Sequence, residues 1–397
     1  MTREYHGIKT RQGCNSGLKD ITFIFTTILR PDCARRLIAS IRRHCPALKV
    51  VVADQNPFDP AMDAFYRENE VTVRYLPFDS GVGKGRASLM DLVDTRYTLF
   101  GDDDFIFTER TDLAPARQFL DAHAEIGLVG GSMIDHRSQA DGRQVKVRRR
   151  YEKLVSLLPE HRGMIVTPID YVSPRITIFN GHHFHHCDMT LNWALCRTDM
   201  LADPELRWDP QFKSGGEHED FFLQIKYRSD WGVVHCPQMI CEHRHDGSAR
   251  YDALRARADG WAAMGRKWGV DWLLDIGTGL RRFDDFNSVR PYTANPLASA
   301  QQLPAIGTDF LRLWHDGLAG ASVSPVQSLR EARARSAAAN ANLQRRIGIL
   351  QGRVARLTAG HEKAGTRIAA LTERNRAMRQ RLGLSGSGDP PSESPAR

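Results

Sequence analysis

The run Tyr97–Phe107, YTLFGDDDFIF, decides how the rest of the chain is read. Strand-forming residues lead straight into Asp102, Asp103 and Asp104, and apolar residues resume at once. Carboxylates crowded at a strand's end repel one another and lose hydration, a cost that a divalent cation with a taste for oxygen ligands offsets. Mg²⁺ or Mn²⁺ held this way completes its shell with water and substrate phosphates. Two readings follow: a metal–diphosphate site, or an acidic turn facing solvent.

The flanking sequence favours the site. Upstream, Ile21–Leu29 and Leu48–Ala53 are apolar and read as buried strands, with a helix over Asp32–His44 between them. Asp59–Asn69 reads as helix, Val71–Leu76 as a third strand, Asp79–Gly85 as a loop, and the region near Arg86–Val93 as helix. A helix near Asp112–Ala122 and a strand at Ile126–Ile134 continue the alternation. Strands alternating with helices predict an α/β fold with a mixed, mainly parallel sheet covered on both faces. Ligands of such sheets sit outside the carboxyl ends of the strands. Asp54, the Asp79–Arg86 loop and Asp102–Asp104 all fall at such ends.

Downstream, residues 136–180 are less legible; Arg143–Arg150 is strongly basic and the later part is β-rich. Gly181–Cys187, GHHFHHC, holds four histidines, but in a strand His183 and His185 face one way and His182 and His186 the other, which disfavours one closed zinc site. Gly215–Lys226, GGEHEDFFLQIK, sets Glu217, Glu219 and Asp220 at the start of a helix. The helix dipole accounts for one or two of these acids, though not for the Gly-Gly approach beside all three and His218. Val233–His245 reads as a strand with Cys241, His243 and His245 on one face, and one of its histidines would complete the shell of an aspartate-bound cation. Residues 249–285 read as helical, with Trp261, Trp268 and Trp272 packing, and 286–325 as a connector.

The 397 residues carry 55 Lys+Arg and 47 Asp+Glu, a net charge of +8. From Val326 to Arg397 there are 14 basic and 5 acidic residues, so the excess belongs to the tail and nucleic-acid binding is not expected of the body. The tail sets Leu343, Ile347, Leu350, Val354, Leu357, His361, Ala364, Ile368, Leu371, Asn375, Met378 and Leu382 in steps of four and three, a heptad seam that predicts a coiled-coil homodimer. Its basic charge would suit anionic lipid. No apolar run reaches the roughly 20 residues of a membrane span, and the start has no hydrophobic leader. A cytoplasmic protein with reduced thiols, possible membrane contact aside, is the expectation. The expected segments are a disordered 1–19, a catalytic domain over 20–248, a helical extension over 249–325, a coiled coil over 326–384 and a disordered 385–397.

Taken together, TTILRPDCARRLIASIRRHCP (26–46), VVADQ (51–55), YLPFDSGVGKGR (75–86), YTLFGDDDF (97–105), HEDFFL (218–223) and the strand ending CEH (241–243) resemble the inverting family 2 glycosyltransferases of GT-A fold. Within that group they look most like the β-1,4-N-acetylgalactosaminyltransferases of ganglioside synthesis and their bacterial relatives. The resemblance implies a UDP-sugar donor, GalNAc or another hexose or hexosamine, Mn²⁺ or Mg²⁺ as cofactor, and a hydroxyl of a glycan or glycolipid as acceptor, with surface-polysaccharide synthesis as the setting. It implies that Asp54 binds uracil and that Arg86 lies against the nucleotide or diphosphate. The family loop usually continues Arg-Asn, whereas here Ala87 follows Arg86. Asp102–Asp104 match the DxD element, with Asp102 and Asp103 on the donor side and Asp104 and Asp102 as metal ligands. His243 would be the later metal ligand, with His245 competing. Asp220 matches the catalytic carboxylate, and Glu219 would hold acceptor or donor sugar. A nucleotidyltransferase shares the carboxylates and metal but wants a glycine-rich lysine loop near the first strand, which residues 20–32 lack. A decayed coiled-coil scaffold would not need the intact acids.

Overall fold

The computed structural model describes residues 18–138, 143–159, 162–169, 175–256, 259–275, 279–283 and 285–291, together with 365–366, 368–379 and 381 in the tail. In chain order the elements are β1 (Ile21–Thr27), α1 (Pro31–His44), β2 (Lys49–Asp54), α2 (Pro60–Glu68), β3 (Val71–Tyr75), α3 (Val82–Leu89), β4 (Tyr97–Phe100), β5 (Phe105–Ile106) and α4 (Ala114–Ala122). There follow β6 (Ile126–Ser138), β7 (Gln144–Arg149), β8 (Lys153–Leu158), β9 (Gly163–Pro168), β10 (Ile176–Phe179), β11 (His182–Cys187), β12 (Ala194–Arg197), α5 (Thr198–Leu201) and α6 (Glu217–Arg228). The series closes with β13 (Gly232–His243), α7 (Ala249–Arg255), α8 (Asp259–Trp268), β14 (Trp272–Asp275), β15 (Gly279–Arg282) and β16 (Asp285–Pro291). The chain divides into two units, Met1–Ser324 and Pro325–Arg397.

The main sheet runs β10-β11-β13-β6-β12-β4-β1-β2-β3, with β5 on β13 and β7 on β6. β3, β2, β1 and β4 are mutually parallel, and β13 is parallel to β6. β12 enters antiparallel between β4 and β6, and β11 lies antiparallel to β13. Alternation along β1 sends Phe23 and Phe25 to one core and Ile24 to the other. The first core packs Leu37, Ile38 and Ile41 of α1, Tyr66 of α2 and Phe119 of α4 against one face. The second packs Leu89 of α3, Phe221, Phe222 and Ile225 of α6, and Met264 of α8 against the other. At about 25 cal/mol per Å² of apolar area, burial on both faces is what makes these strands read as unbroken apolar runs.

Two expectations need correction. The helix expected near Arg86 begins at Val82, inside the glycine loop, because the amides of Val82 and Gly83 find the carbonyls of Lys213 and Phe212 at 3.0 and 3.1 Å. A Cβ at Gly83 would lie 2.3 Å from the Asp209 carbonyl oxygen, and one at Gly85 2.4 Å from Thr26 Cγ2, so these glycines let the helix seat closely. The helix expected through residue 285 ends at Trp268, and the chain turns to strand at Trp272. β14 pairs parallel with β9 and antiparallel with β15, giving a second sheet in the order β16-β15-β14-β9-β8. Trp272 is packed there, its ring where a Cβ on Gly163 would stand. In the tail, residues 368–379 are helical apart from any question of partner, and Ile368, Leu371 and Met378 are exposed. The seam positions from Leu343 to Ala364, and Leu382, lie outside the described residues. No helix among the described residues is long and apolar enough to cross a membrane.

Candidate functional site

The parallel strands end together, and what they deliver there is charge. β4 stops at Phe100, and the next residues carry three carboxylates into three different surroundings. Asp103 turns inward, accepting from Thr27 Oγ1 at 2.8 Å and from Arg30. Burial pushes its carboxyl up, against the pull of Arg30. Asp102 is the most exposed of the three and is held by Arg86 Nη2 at 2.8 Å and by Asn192. Asp104 is 4 % exposed, and its Oδ2 faces Arg30 Nη1 at 2.7 Å, His243 Nε2 at 3.4 Å and His245 Nδ1 at 3.7 Å. Burial works against its charge, but His243, His245 and Arg30 outweigh it and hold the carboxyl far below the usual range.

One ligand atom each from Asp104, His243 and His245 lie within 4.8 Å of one another. Three observations fit this trio to a divalent cation. Asp104 Oδ1 is buried with no hydrogen-bond partner among the described residues, an expense that coordination would remove. His243 Nδ1 meets Asp135 Oδ1 at 2.7 Å, which fixes the ring and turns Nε2 toward Asp104, the usual support of a metal-bound imidazole. Burial would lower the His243 pKa, yet the two carboxylates raise it to about 9, so the surroundings strongly favour positive charge. Two imidazoles beside one carboxylate suit Mn²⁺ better than Mg²⁺, which binds through oxygen.

A cavity of about 230 Å³ opens on this trio, lined also by Gln55, Asp79, Gly81, Lys213, Tyr251 and Arg255, with Lys213 Nζ 3.3 Å from Asp79. Arg30 lies 3.9 Å above the Tyr251 ring and so ties α7 across the cavity to the aspartates. Asp54 is adjacent but committed: its Oδ2 accepts from Tyr66 and its Oδ1 from the Asn56 amide and side chain. Its neighbour Gln55 is the residue of that pair that lines the cavity, and it donates and accepts across to Gly81. Arg86 is buried, packs over Phe100 and Trp208, and reaches the site only through Asp102.

The acids of α6 fall in two places. Gly215 and Gly216 take φ of +78° and +83°, and α8 sits directly on them, since a Cβ on Gly215 would meet the Trp261 indole at 2.5 Å. Asp220 is wholly buried and points at α8, accepting from Gln224 Nε2 at 2.6 Å, Trp268 Nε1 at 2.8 Å and Lys267 Nζ at 2.9 Å. Neither it nor Glu219 is among the residues that line the acidic cavity. Glu219 is half-buried, and its surroundings include Tyr151, Lys153 and Arg281. Burial and the charge of Glu217 push it up to about 7. Glu217 has a buried oxygen, Oε2, without a partner among the described residues, and its charge acts on Arg255 of the cavity wall. His218 donates to the Thr190 carbonyl at 2.6 Å and is lowered to about 3 by burial, so it is a neutral brace.

With the geometry in place, the chain can be compared with known proteins. Over 243 residues it is 30 % identical to human "Beta-1,4 N-acetylgalactosaminyltransferase 1", a match covering 58 % of this chain and 40 % of that protein. In this region the chain is similar in sequence to β-1,4 N-acetylgalactosaminyltransferases. The mouse protein "Beta-1,4 N-acetylgalactosaminyltransferase 2" is 27 % identical over 224 residues, covering 56 % of this chain and 39 % of that one. The matched region thus spans about two fifths of the length of these relatives. Among solved structures, S. aureus TarS 1-349 aligns at 19 % identity and a TM-score of 0.39, over 56 % of this chain and 60 % of that one. No known family profile matches the chain.

Reading the sequence missed Asp135, Asn192, Arg30 and Gln55. Asp135 lies within β6 opposite His243 at the end of β13, and only that pairing brings the two together. Of the metal ligands inferred from the resemblance, Asp104 and His243 come together, His245 joins them, and Asp102 is held apart by Arg86 and Asn192. Because Asp220 is sealed against α8, Asp220→Asn should cost about 2 kcal/mol of stability by weakening the bond to Lys267. Urea unfolding checks this; an unchanged midpoint would show that the contact holds nothing in place.

Proposed function

We propose that the protein is an inverting glycosyltransferase of GT-A fold that moves a sugar from a UDP-sugar to a hydroxyl of a glycan or glycolipid. The observation that carries the reading is the Asp104–His243–His245 trio with its unpartnered carboxylate oxygen, set at the strand ends beside a cavity. The sequence relatives support GalNAc as the sugar. Surface-polysaccharide synthesis in the cytoplasm, with the basic tail against anionic lipid, is the setting that fits.

A divalent cation held by Asp104, His243 and His245 would act as a Lewis acid on the leaving diphosphate. The remaining work falls to the chain's own residues. Arg30, Lys213 and Arg255 put positive charge on the cavity wall where a diphosphate lies. Gln55 lines the cavity, with its side-chain amide held by Gly81, while Asp54 behind it is held by Tyr66 and Asn56. Asp102, on the cavity wall, is held by Arg86 and Asn192 behind it.

The acceptor hydroxyl must lose a proton as it attacks, and a carboxylate with a pKa near the working pH serves best. Glu219 has that property, while Asp220 is spent on α8. The base role expected of Asp220 therefore passes to Glu219, and Asp220 becomes the anchor that sets the start of α6. A single displacement of this kind inverts the anomeric carbon.

Three outcomes test this reading. Titrating the protein with Mn²⁺ and following free ion by electron paramagnetic resonance should give a bound site that Asp104→Asn abolishes and that Asp135→Asn weakens 10- to 100-fold. Wild-type protein should release UDP from UDP-GalNAc in a reaction that Glu219→Gln slows by about 10²-fold or more without lowering the unfolding midpoint. Since the base works deprotonated, the wild-type rate should fall as pH drops below about 7; a flat profile from pH 5 to 8 would exclude Glu219. AMP- or CMP-sugar formation with pyrophosphate release would instead make the protein a nucleotidyltransferase.

The exposed Ile368, Leu371 and Met378 on one helix support a homodimer through the tail. Deleting residues 326–397 should halve the particle mass in light scattering, beyond the loss of the tail itself.

A further inference from the structure

A second cavity, of about 850 Å³, has no part in the chemistry above. It is lined from β3, α3, the segment after α5, α6 and α8. Its volume lies within the usual range of small-molecule sites. It shares no lining residue with the cavity at the metal trio. Arg228 on its wall stands eleven residues after Glu217, about 16 Å along α6 from the end that meets the trio's cavity.

Much of the wall is apolar. Met90, Pro204, Leu206, Trp208 and Pro210 contribute to it. Leu206 and Trp208 are buried, and Trp208 is stacked on Phe221 with ring centroids 4.7 Å apart. Such a wall rewards a ligand that brings apolar area of its own.

The charged groups divide into matched and unmatched. Arg74 pairs with Asp91 at 2.8 Å, and Lys267 with Asp209 at 2.7 Å and Asp220 at 2.9 Å. Arg207, Arg228 and Glu205 make no ion pair among the described residues. Gln224 bonds the backbone amide and carbonyl of Arg207 at 3.1 and 3.0 Å, and Arg228 follows Gln224 by one turn on the same face of α6. The two arginines therefore belong to one wall. Arg228 rests 4.9 Å over the Trp268 ring, and no carboxylate among the described residues meets its N–H donors. Guanidinium groups in this state suit a carboxylate or phosphate, which they bind through paired N–H donors. Glu205 sets one negative charge against the two positive ones, which favours a ligand with a single anionic group over one with several.

We propose that this cavity is a second ligand site that takes a small organic anion. Its apolar body would lie against Leu206, Trp208 and the two prolines, and its one acidic end would meet Arg207 and Arg228. The site stands apart from the transferase reading, since none of its residues serves the metal trio. An aromatic ring and a short acyl chain both supply such a body, and the two can be told apart.

The full-length protein would be titrated by calorimetry with 2-naphthoate and with octanoate, each beside its neutral alcohol. Wild type should bind at least one of the anions, about tenfold or more tightly than the matching alcohol. Arg207→Gln/Arg228→Gln should bring that anion down to the level of its alcohol and leave the alcohol's affinity unchanged, a selective loss that a disturbed fold would not give. Arg207→Lys/Arg228→Lys keeps the charge and should retain most of the affinity. Ala202→Trp, which puts bulk on the wall, should weaken anion and alcohol alike. The preferred anion tells ring from chain. UDP with Mn²⁺ should not displace it; displacement would put the anion in the other cavity and overturn the proposal. Failure of wild type to bind either anion would overturn it too, as would equal binding of the anion by wild type and the double glutamine variant.

Discussion

Asp104 is a buried carboxylate that the fold has gone to some trouble to keep charged. A lone ionised acid taken out of water costs several kcal/mol. Here the turn between β1 and α1 contributes Arg30, β13 contributes His243 at its end, and the residues after it contribute His245. Three separate segments of chain must arrive at one point for that charge to be tolerated. The order of strands in the sheet accomplishes it: β1 and β4 are neighbours, and β5, which follows the aspartates, pairs with the end of β13. The site is thus a product of sheet register, and slipping β13 by one residue would turn His243 to the opposite face.

This dependence explains what the sequence makes legible. The first hundred residues alternate cleanly because β1, β2 and β4 are buried on both faces and the helices on one, so composition and period agree. The aspartates stand out because acids directly after an apolar strand have few structural uses. The second half is harder for definite reasons. β7, β8 and β10 are short and partly exposed, so polar and apolar residues mix without a firm period. β14 holds only Trp272, Leu273, Leu274 and Asp275, and its tryptophan continues a spacing set by Trp261 and Trp268 on a helix. Periodicity could not separate the two; pairing with β9 decides it. Asp135 carries no local signal at all, since its importance comes from the strand beside it.

Asp220 shows a different limit. A motif names residues that stand together in sequence, but a helix sends successive side chains about 100° apart. Glu219 and Asp220 therefore meet different surroundings. What packs on the helix decides them, and here α8 brings Lys267 and Trp268 to the Asp220 side. Lys267 and Trp268 hold the Asp220 carboxyl in place and oppose the burial that raises its pKa. Glu219 is left toward Tyr151, Lys153 and Arg281, in a setting dry enough to raise its pKa and still half open. The two glycines before the helix make the arrangement possible. Only with left-handed backbone at Gly215 and Gly216 can α8 come close enough to hold Asp220.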